Sequence, residues 1–226
     1  MRTFVIGDIH GQRLALESLV KAIPLSDEDR LIFLGDYVDK GPDVKGTLEC
    51  LSRLSSWENT IFLRGNHDQM LIDAYRDPEK FGIWECLAGD DPLASYGTGD
   101  SYQLIHEMPP HHWRFLEDAC VDYFETEDFI FVHAGIRADR NPGKEEIERL
   151  QWMTLSMAEP HQSGKIVVCG HTRSESGRIV DLGHTICIDT GISKNGFLTC
   201  LEMETFGFWQ ADSQGMISTG ALRRGS

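Results

Sequence analysis

The sequence predicts an α/β fold: a four-layer α/β/β/α sandwich of two mixed sheets with helices outside and a helical cap inserted. Three observations predict it. The first third alternates short apolar runs with helical patterns, the last half carries short strands punctuated by Gly and Asn, and an aromatic- and Pro-bearing stretch between them breaks both rhythms. At 226 residues and 41% hydrophobic content, with no linker-like or disordered composition, the chain can bury one large core. A single domain spanning 1–226 is expected, with the cap at about 70–119.

Thr3 to Ile6, Leu31 to Leu34 and Thr60 to Leu63 are rich in Val, Ile, Leu and Phe and end in Gly or Arg-Gly, which suits parallel strands buried on both faces. Helices should separate them. Leu14, Leu19, Val20 and Ile23 fall roughly on one helical face, and Val44, Leu48, Leu51 and Leu54 recur three and four residues apart. The opening is therefore βαβαβ. Met70 to Ala119, with Pro78, Pro92, Pro109 and Pro110, reads as the cap of helices and loops. Val121 to Glu125 with Phe129 to Val132 reads as a hairpin. Ile166 to Cys169, Arg178 to Asp181, Thr185 to Ile188, Phe197 to Met203 and Phe208 to Ala211 complete a mostly antiparallel second half, and the tail from Thr219 to Ser226 is expected to fray.

Charge and cysteine usage narrow the setting. Lys and Arg number 21 against 36 Asp and Glu, a formal charge of −15 that would repel a nucleic-acid backbone, and no basic cluster is visible. Six cysteines lie scattered without C-x-x-C spacing, mostly among apolar neighbours, as reduced core residues do. With no signal peptide at Met1-Arg2-Thr3 and no apolar run near 18 residues, a cytoplasmic location and no membrane partner are expected.

Six side chains carry the chemistry. Residues two apart in extended chain project the same way, so Asp8 and His10, just past the first strand, can converge on one ion while Ile9 turns to the core. Asp36 ends the next strand, where its carboxylate can reach that ion and bridge to a second. Asn66 ends the third strand and offers a carbonyl oxygen. With His133 and His171 from later strands it completes a second site of mixed nitrogen and oxygen donors, suited to Mn, Fe, Zn or Ni rather than Ca.

Taken in order, Gly7-Asp8-Ile9-His10-Gly11, Gly35-Asp36-Tyr37-Val38-Asp39-Lys40-Gly41-Pro42, Arg64-Gly65-Asn66-His67-Asp68, His133-Ala134-Gly135-Ile136 and Gly170-His171-Thr172 resemble the signature of the calcineurin-like metallophosphoesterases. Within them the chain is similar to the phosphoprotein phosphatase family, and Asp189-Thr190-Gly191 resembles its bacterial members, which are related to diadenosine tetraphosphate hydrolases. The resemblance implies two divalent ions, Mn²⁺ foremost, with Fe, Zn or Ni as alternatives. It assigns Asp8, His10 and Asp36 to the first and Asp36, Asn66, His133 and His171 to the second. His67 becomes the general acid, and Asp39 matches the carboxylate that pairs with it. The implied reaction is direct attack on phosphorus by a metal-bridging hydroxide, with no covalent phosphoenzyme.

Phosphate contacts depart from the family pattern. Lys40 stands where protein phosphatases usually carry Arg, giving a point charge in place of a two-pronged donor. Arg64 matches the family's Arg before Gly-Asn-His, so Arg64, Lys40 and Asn66 are the substrate-binding candidates. The bacterial Arg that follows Leu-Trp is missing from Gln151-Trp152-Met153-Thr154, leaving Arg137 or Arg173 to replace it. A phosphorylated protein, as phosphoserine or phosphothreonine, or a small phosphomonoester is the expected substrate. A dinucleoside polyphosphate is the alternative, with Trp84, Tyr96, Tyr102 and Trp113 of the cap as faces for adenine, and a non-catalytic phosphate-binding scaffold is the third reading. Elsewhere His106, His111 and His112 read as loop packing, Tyr96-Gly97-Thr98-Gly99-Asp100 as a loop without nucleotide-binding context, and Trp152 and Trp209 as core.

Overall fold

A computed structural model of the protein describes residues 1–90, 92–97 and 99–223. Its first three strands, β1 (Thr3–Ile6), β2 (Arg30–Phe33) and β3 (Thr60–Leu63), run parallel, with Val5 opposite Ile32 and Ile32 opposite Ile61. They are linked by α1 (Arg13–Ala22) and α2 (Val44–Leu54). The strands read as unbroken apolar runs because both faces are covered. Phe4, Ile6, Leu31, Phe33 and Phe62 pack against the helices, while Val5, Ile32, Leu34 and Leu63 meet Phe131, Val168 and Ile186 of the second sheet.

The cap follows as α3 (Asn66–Arg76), α4 (Pro78–Ala88), α5 (Ser101–Glu107), α6 (Pro110–Arg114) and a π-helical turn at Phe115–Ala119. Thr98 of the glycine-bearing loop lies outside the described residues. The expected hairpin after the cap does not form as read. β4 (Cys120–Val121) pairs parallel with β3, and only past Asp122 does the chain enter the second sheet as β5 (Tyr123–Glu125), antiparallel to β6 (Phe129–Val132). One apolar run thus serves two sheets.

After α7 (Ile147–Trp152), the strands β7 (Ile166–Cys169), β8 (Val180–Asp181) and β9 (Thr185–Cys187) complete a second sheet in the order β5-β6-β7-β9-β8. That sheet is mixed rather than mostly antiparallel, since β6-β7 and β7-β9 are parallel. The antiparallel strands β10 (Leu198–Glu202), β11 (Gly207–Ala211) and β12 (Ile217–Ala221) return to the first sheet, ordered β12-β11-β10-β1-β2-β3-β4. β12 corrects the expectation of a frayed tail from Thr219: its backbone continues the ladder of β11, although its side chains are exposed. Residues 224–226 of that tail lie outside the described residues. Four layers result, the outermost being only α7 and neighbouring turns, which cover Ile130, Val132 and Val167. Leu14 also corrects the helix reading: α1 buries Ala15, Leu16 and Leu19, and Leu14 is exposed.

Asp29 pins the start of β1 to the turn before β2. Its carboxylate accepts from the Arg2 backbone N–H at 2.9 Å, from Arg2 Nη2 at 2.6 Å, and from the Ser26 N–H and hydroxyl, each at 2.9 Å. The Arg2 guanidinium hydrogen bond holds the acid well below the usual carboxylate range against the opposing effect of burial. A depressed folded pKa contributes stability that is present above about pH 4 and lost as pH falls toward it. Asp29→Asn should therefore destabilise the protein by about 1–3 kcal/mol at pH 7, with the gap to wild type narrowing below about pH 4. Urea titrations across pH measure this, and a gap independent of pH would contradict it.

Candidate active site

The parallel strands of both sheets end at one rim, and the six expected ligands sit there. Asp8 and His10 follow β1, Asp36 follows β2, Asn66 opens α3 after β3, His133 follows β6 and His171 follows β7. An open α/β sheet places its crevice outside the carboxyl ends of its strands for this reason. Asp36 is central. Its Oδ2 lies 3.4 Å from His10 Nε2 and its Oδ1 lies 3.4 Å from His133 Nε2, so each oxygen faces a different histidine. Asn66 Oδ1 is 3.0 Å from both His133 Nε2 and His171 Nδ1. Asp8 accepts from the His171 backbone N–H at 3.1 Å. His10, Asp36 and His67 form one group of converging donor atoms, and Asp8, Asp36 and His133 form another, with Asp36 common to both.

The histidines are oriented from behind. His10 Nδ1–H donates to the Val38 carbonyl at 2.9 Å and His133 Nδ1–H to the Leu34 carbonyl at 2.8 Å, which leaves both Nε2 lone pairs aimed into the cleft. Backbone strain collects in the same place. Of seven non-glycine residues with positive φ among the described residues, five are His10 (47°), Asp36 (52°), Asp39 (68°), Lys40 (62°) and His171 (61°). Gly65 is required where it stands, since a Cβ there would collide with the Asp36 carboxylate.

The charge balance fits a pair of divalent cations. Burial, then the charges of Asp189 and Asp36, drives the Asp8 carboxyl well above its usual range. Burial lifts Asp189 to about 6. Burial also lowers His10 to about 3 and His171 to about 4, and lowers His133, so all three imidazoles are neutral, as ligation requires. Buried acids crowded together with lone pairs facing inward want positive charge at their centre, and the nitrogen and oxygen donor set suits first-row divalent ions.

His67 stands apart from the ligands in its bonding. Its Nδ1–H donates to Asp39 Oδ2 at 2.7 Å, and Asp39, with no exposed surface, also accepts from Trp84 Nε1 at 3.1 and 3.2 Å. Burial opposes a charged imidazole, but Asp36 and Asp39 outweigh it and raise the His67 pKa. Trp84, expected as a face for adenine, is instead buried in the cap as a clamp on Asp39. None of the four cap aromatics lines the cleft; Trp113 stacks on Tyr75 and Tyr102 packs against Phe81. Trp152, expected in the core, is the exposed ring beside the site, 6.0 Å from the His171 ring.

The cations also sort differently from expectation. Lys40 faces the cleft, its Nζ 3.2 Å from His10 Nε2. Arg64 does not: its guanidinium donates to the carbonyls of Leu116, Glu117 and Cys120 at 3.3, 2.9 and 3.1 Å, tying the π-helical turn to β3, so it is a structural clamp and not a substrate contact. Arg137 is held by Glu145 at 2.7 Å. Arg173 and Lys194 do line the cleft, together with Asp189. Asp68, the last residue of the third motif, accepts the backbone N–H groups of Asp36, Tyr37 and Gly65, each at 2.9 Å. Burial and the Asp36 charge nevertheless push it up to about 7.

A calcineurin-like phosphoesterase family model matches residues 1–196. The chain belongs to that family. It is 32% identical over 133 residues to a symmetrical bis(5'-nucleosyl)-tetraphosphatase of Coxiella burnetii strain RSA 331, covering 51% of this chain and 44% of that protein. To the same enzyme of Ralstonia nicotianae it is 34% identical over 131 residues, covering 58% and 41%. Against serine/threonine-protein phosphatase 1 of Salmonella typhimurium it is 36% identical over 88 residues, 38% of each chain. The chain thus spans less than half the length of these relatives. A crystal structure described as a diadenosine tetraphosphatase superposes with TM-score 0.68 at 19% identity, covering 99% of this chain and 95% of that one, so the two share a fold. Among the described residues, no helix is long and apolar enough to cross a membrane.

Two substitutions test the architecture of the site. Trp84→Phe keeps the ring but loses the hydrogen bonds to Asp39, and should lower kcat roughly 10-fold while metal content measured by mass spectrometry stays at the wild-type level. A variant with unchanged kcat would make Trp84 mere packing. Asp68→Asn replaces one acceptor oxygen with a donor facing backbone N–H groups and should destabilise the fold by about 1–3 kcal/mol in thermal unfolding.

Proposed function

We propose that the chain hydrolyses phosphate esters and anhydrides at a dinuclear metal centre held by Asp8, His10, Asp36, Asn66, His133 and His171, with dinucleoside polyphosphates as the preferred substrate class. One observation carries the substrate reading: the catalytic cleft, about 190 Å³ with Lys40 at one side, shares Arg173 and Lys194 with an adjoining hollow of about 150 Å³. Arg173 and Lys194, shared by the two hollows, suit a substrate that carries further phosphates. Trp152, on the rim beside His171, offers the aromatic face that a nucleobase would use, and a separate hollow of about 280 Å³ opens there between Trp152, Met153, Met157 and Arg149. The tetraphosphatases among the relatives support the same reading.

When bound, the two ions supply an activated water and offset charge on the phosphate oxygens in an in-line displacement. The chain's own residues do the rest. Lys40 and Arg173 bind and orient phosphate oxygens. His67, protonated and held by Asp39, donates its Nε2 proton to the leaving oxygen, which is an alkoxide in an ester and a phosphate in an anhydride. A phosphate leaving group needs that proton less than an alkoxide does, so His67 matters most for esters.

The second reading, a phosphoserine or phosphothreonine phosphatase, needs only the Lys40 and His67 end of the cleft and is supported by the protein phosphatase relative. A purely phosphate-binding scaffold has no use for the 2.7 Å His67–Asp39 pair. Parallel assays with diadenosine tetraphosphate, a phosphopeptide and p-nitrophenyl phosphate, each with Mn²⁺, discriminate the three; the highest kcat/KM is expected for the dinucleotide. His67→Ala should keep its metals and lose roughly 10²–10⁴ in kcat on an alkyl phosphate; an empty metal centre in that variant would contradict its role. Trp152→Ala should raise KM roughly 10-fold for the dinucleotide and leave p-nitrophenyl phosphate unaffected, in keeping with the strength of base stacking on an aromatic ring.

A further inference from the structure

Three side chains of α2 and α6 form a cluster of different composition. Glu49 projects from α2, and His111 and His112 from α6 of the cap. His111 Nε2 lies 2.9 Å and His112 Nε2 3.3 Å from the same oxygen, Glu49 Oε1. His112 has no exposed surface, and its Nε2, 3.3 Å from that oxygen, makes no hydrogen bond of good geometry. A fully buried imidazole nitrogen without one is uncommon. Its other nitrogen is fixed, with Nδ1 2.7 Å from the Tyr96 hydroxyl. In the Nδ1–H tautomer, the one that ligation at Nε2 requires, the Nε2 lone pair faces Glu49.

We propose that Glu49, His111 and His112 form a third metal site, separate from the catalytic pair, that takes a zinc-like borderline divalent ion. The donor set of two imidazoles and one carboxylate is the kind such ions accept. Zinc bonds of about 2.0–2.2 Å in tetrahedral geometry set neighbouring ligand atoms about 3.3 Å apart, and the observed 2.9 and 3.3 Å are close to that. All three donor atoms lie within 4.8 Å of one another. Glu49 and His111 are partly open to solvent, which gives an ion its path, while His112 and Tyr96 form the closed side. Burial, then His111, lowers His112 to about 4, so it needs no deprotonation on binding. Lys45 has its Nζ turned over the Tyr96 ring at 6.0 Å.

The consequence is mechanical. α2 follows the loop that carries Asp36, Asp39 and Lys40, and α6 belongs to the cap whose Trp84 grips Asp39. An ion held between α2 and α6 would fasten the cap to the body of the protein.

The test is a metal count on the full chain. Metal-free protein is titrated with Co²⁺, whose visible absorption reports tetrahedral nitrogen and oxygen coordination, and bound metal is then measured by mass spectrometry after desalting. Glu49→Gln and His111→Ala, both partly exposed and outside the catalytic centre, should each bind one equivalent fewer than wild type. They should weaken that ion's affinity at least about 100-fold while keeping phosphatase activity within about twofold. His112→Ala is avoided because its buried side chain also packs the cap. The same metal count in wild type and both variants would overturn the proposal, as would a lost equivalent accompanied by lost activity. The count differs by one whether the catalytic centre holds two ions or one, so this result stands apart from the reading of the reaction.

Discussion

Five aspartates, Asp8, Asp36, Asp39, Asp68 and Asp189, are buried around one cleft floor, and the architecture there follows from the need to neutralise them. Each has a different answer. Asp68 is met by a fan of backbone N–H groups that shapes the loop after β2. Asp39 is met by His67 and Trp84, and Asp189 by the Gly191 N–H. Asp8 and Asp36 each receive a backbone N–H, from His171 and His67, and remain short of positive charge. That residual imbalance is the physical reason the site calls for metal, and it makes metal affinity and fold stability a single quantity around this rim.

What could be read from the sequence was what is local. A strand ending in a polar side chain beside a glycine leaves its mark within five residues, and so Asp8, His10, Asp36, Asn66, His133 and His171 could be picked out together, and the structure gathers them at one rim. The three opening strands were legible for a related reason: burial on both faces writes an unbroken apolar run. Partnerships across the fold leave no such mark. Arg64 sits inside a recognisable motif, yet its guanidinium is occupied by carbonyls more than fifty residues later. Trp84 looks like any cap aromatic until Asp39 appears beneath it. Glu49 is one charge on an amphipathic helix until His111 and His112 arrive from sixty residues away. The boundary at Asp122 was hidden because the apolar pattern is the same on either side of it, although the chain changes sheets there.

The cap emerges with a different role from the one its aromatics suggested. Trp113 stacks on Tyr75, Tyr96 packs against His112 and Trp84 bonds Asp39, so the cap holds the loop bearing Asp39 from behind. The other wall carries Arg173 and Lys194, with Trp152 close by, from connections around the second sheet. The second sheet therefore brings both His133 and His171 and the cationic wall, while His67 and Asp39 stand on the first sheet's side.

The left-handed backbone at His10, Asp36, Asp39, Lys40 and His171 also limits which amino acids these loops admit over evolutionary time. Asn, Asp, His and Gly tolerate that conformation, whereas Val, Ile and Thr are all but barred from it. Random drift at these positions consequently samples a vocabulary already rich in metal donors. Even a lineage that lost its original ligand would often find another coordinating side chain one codon away.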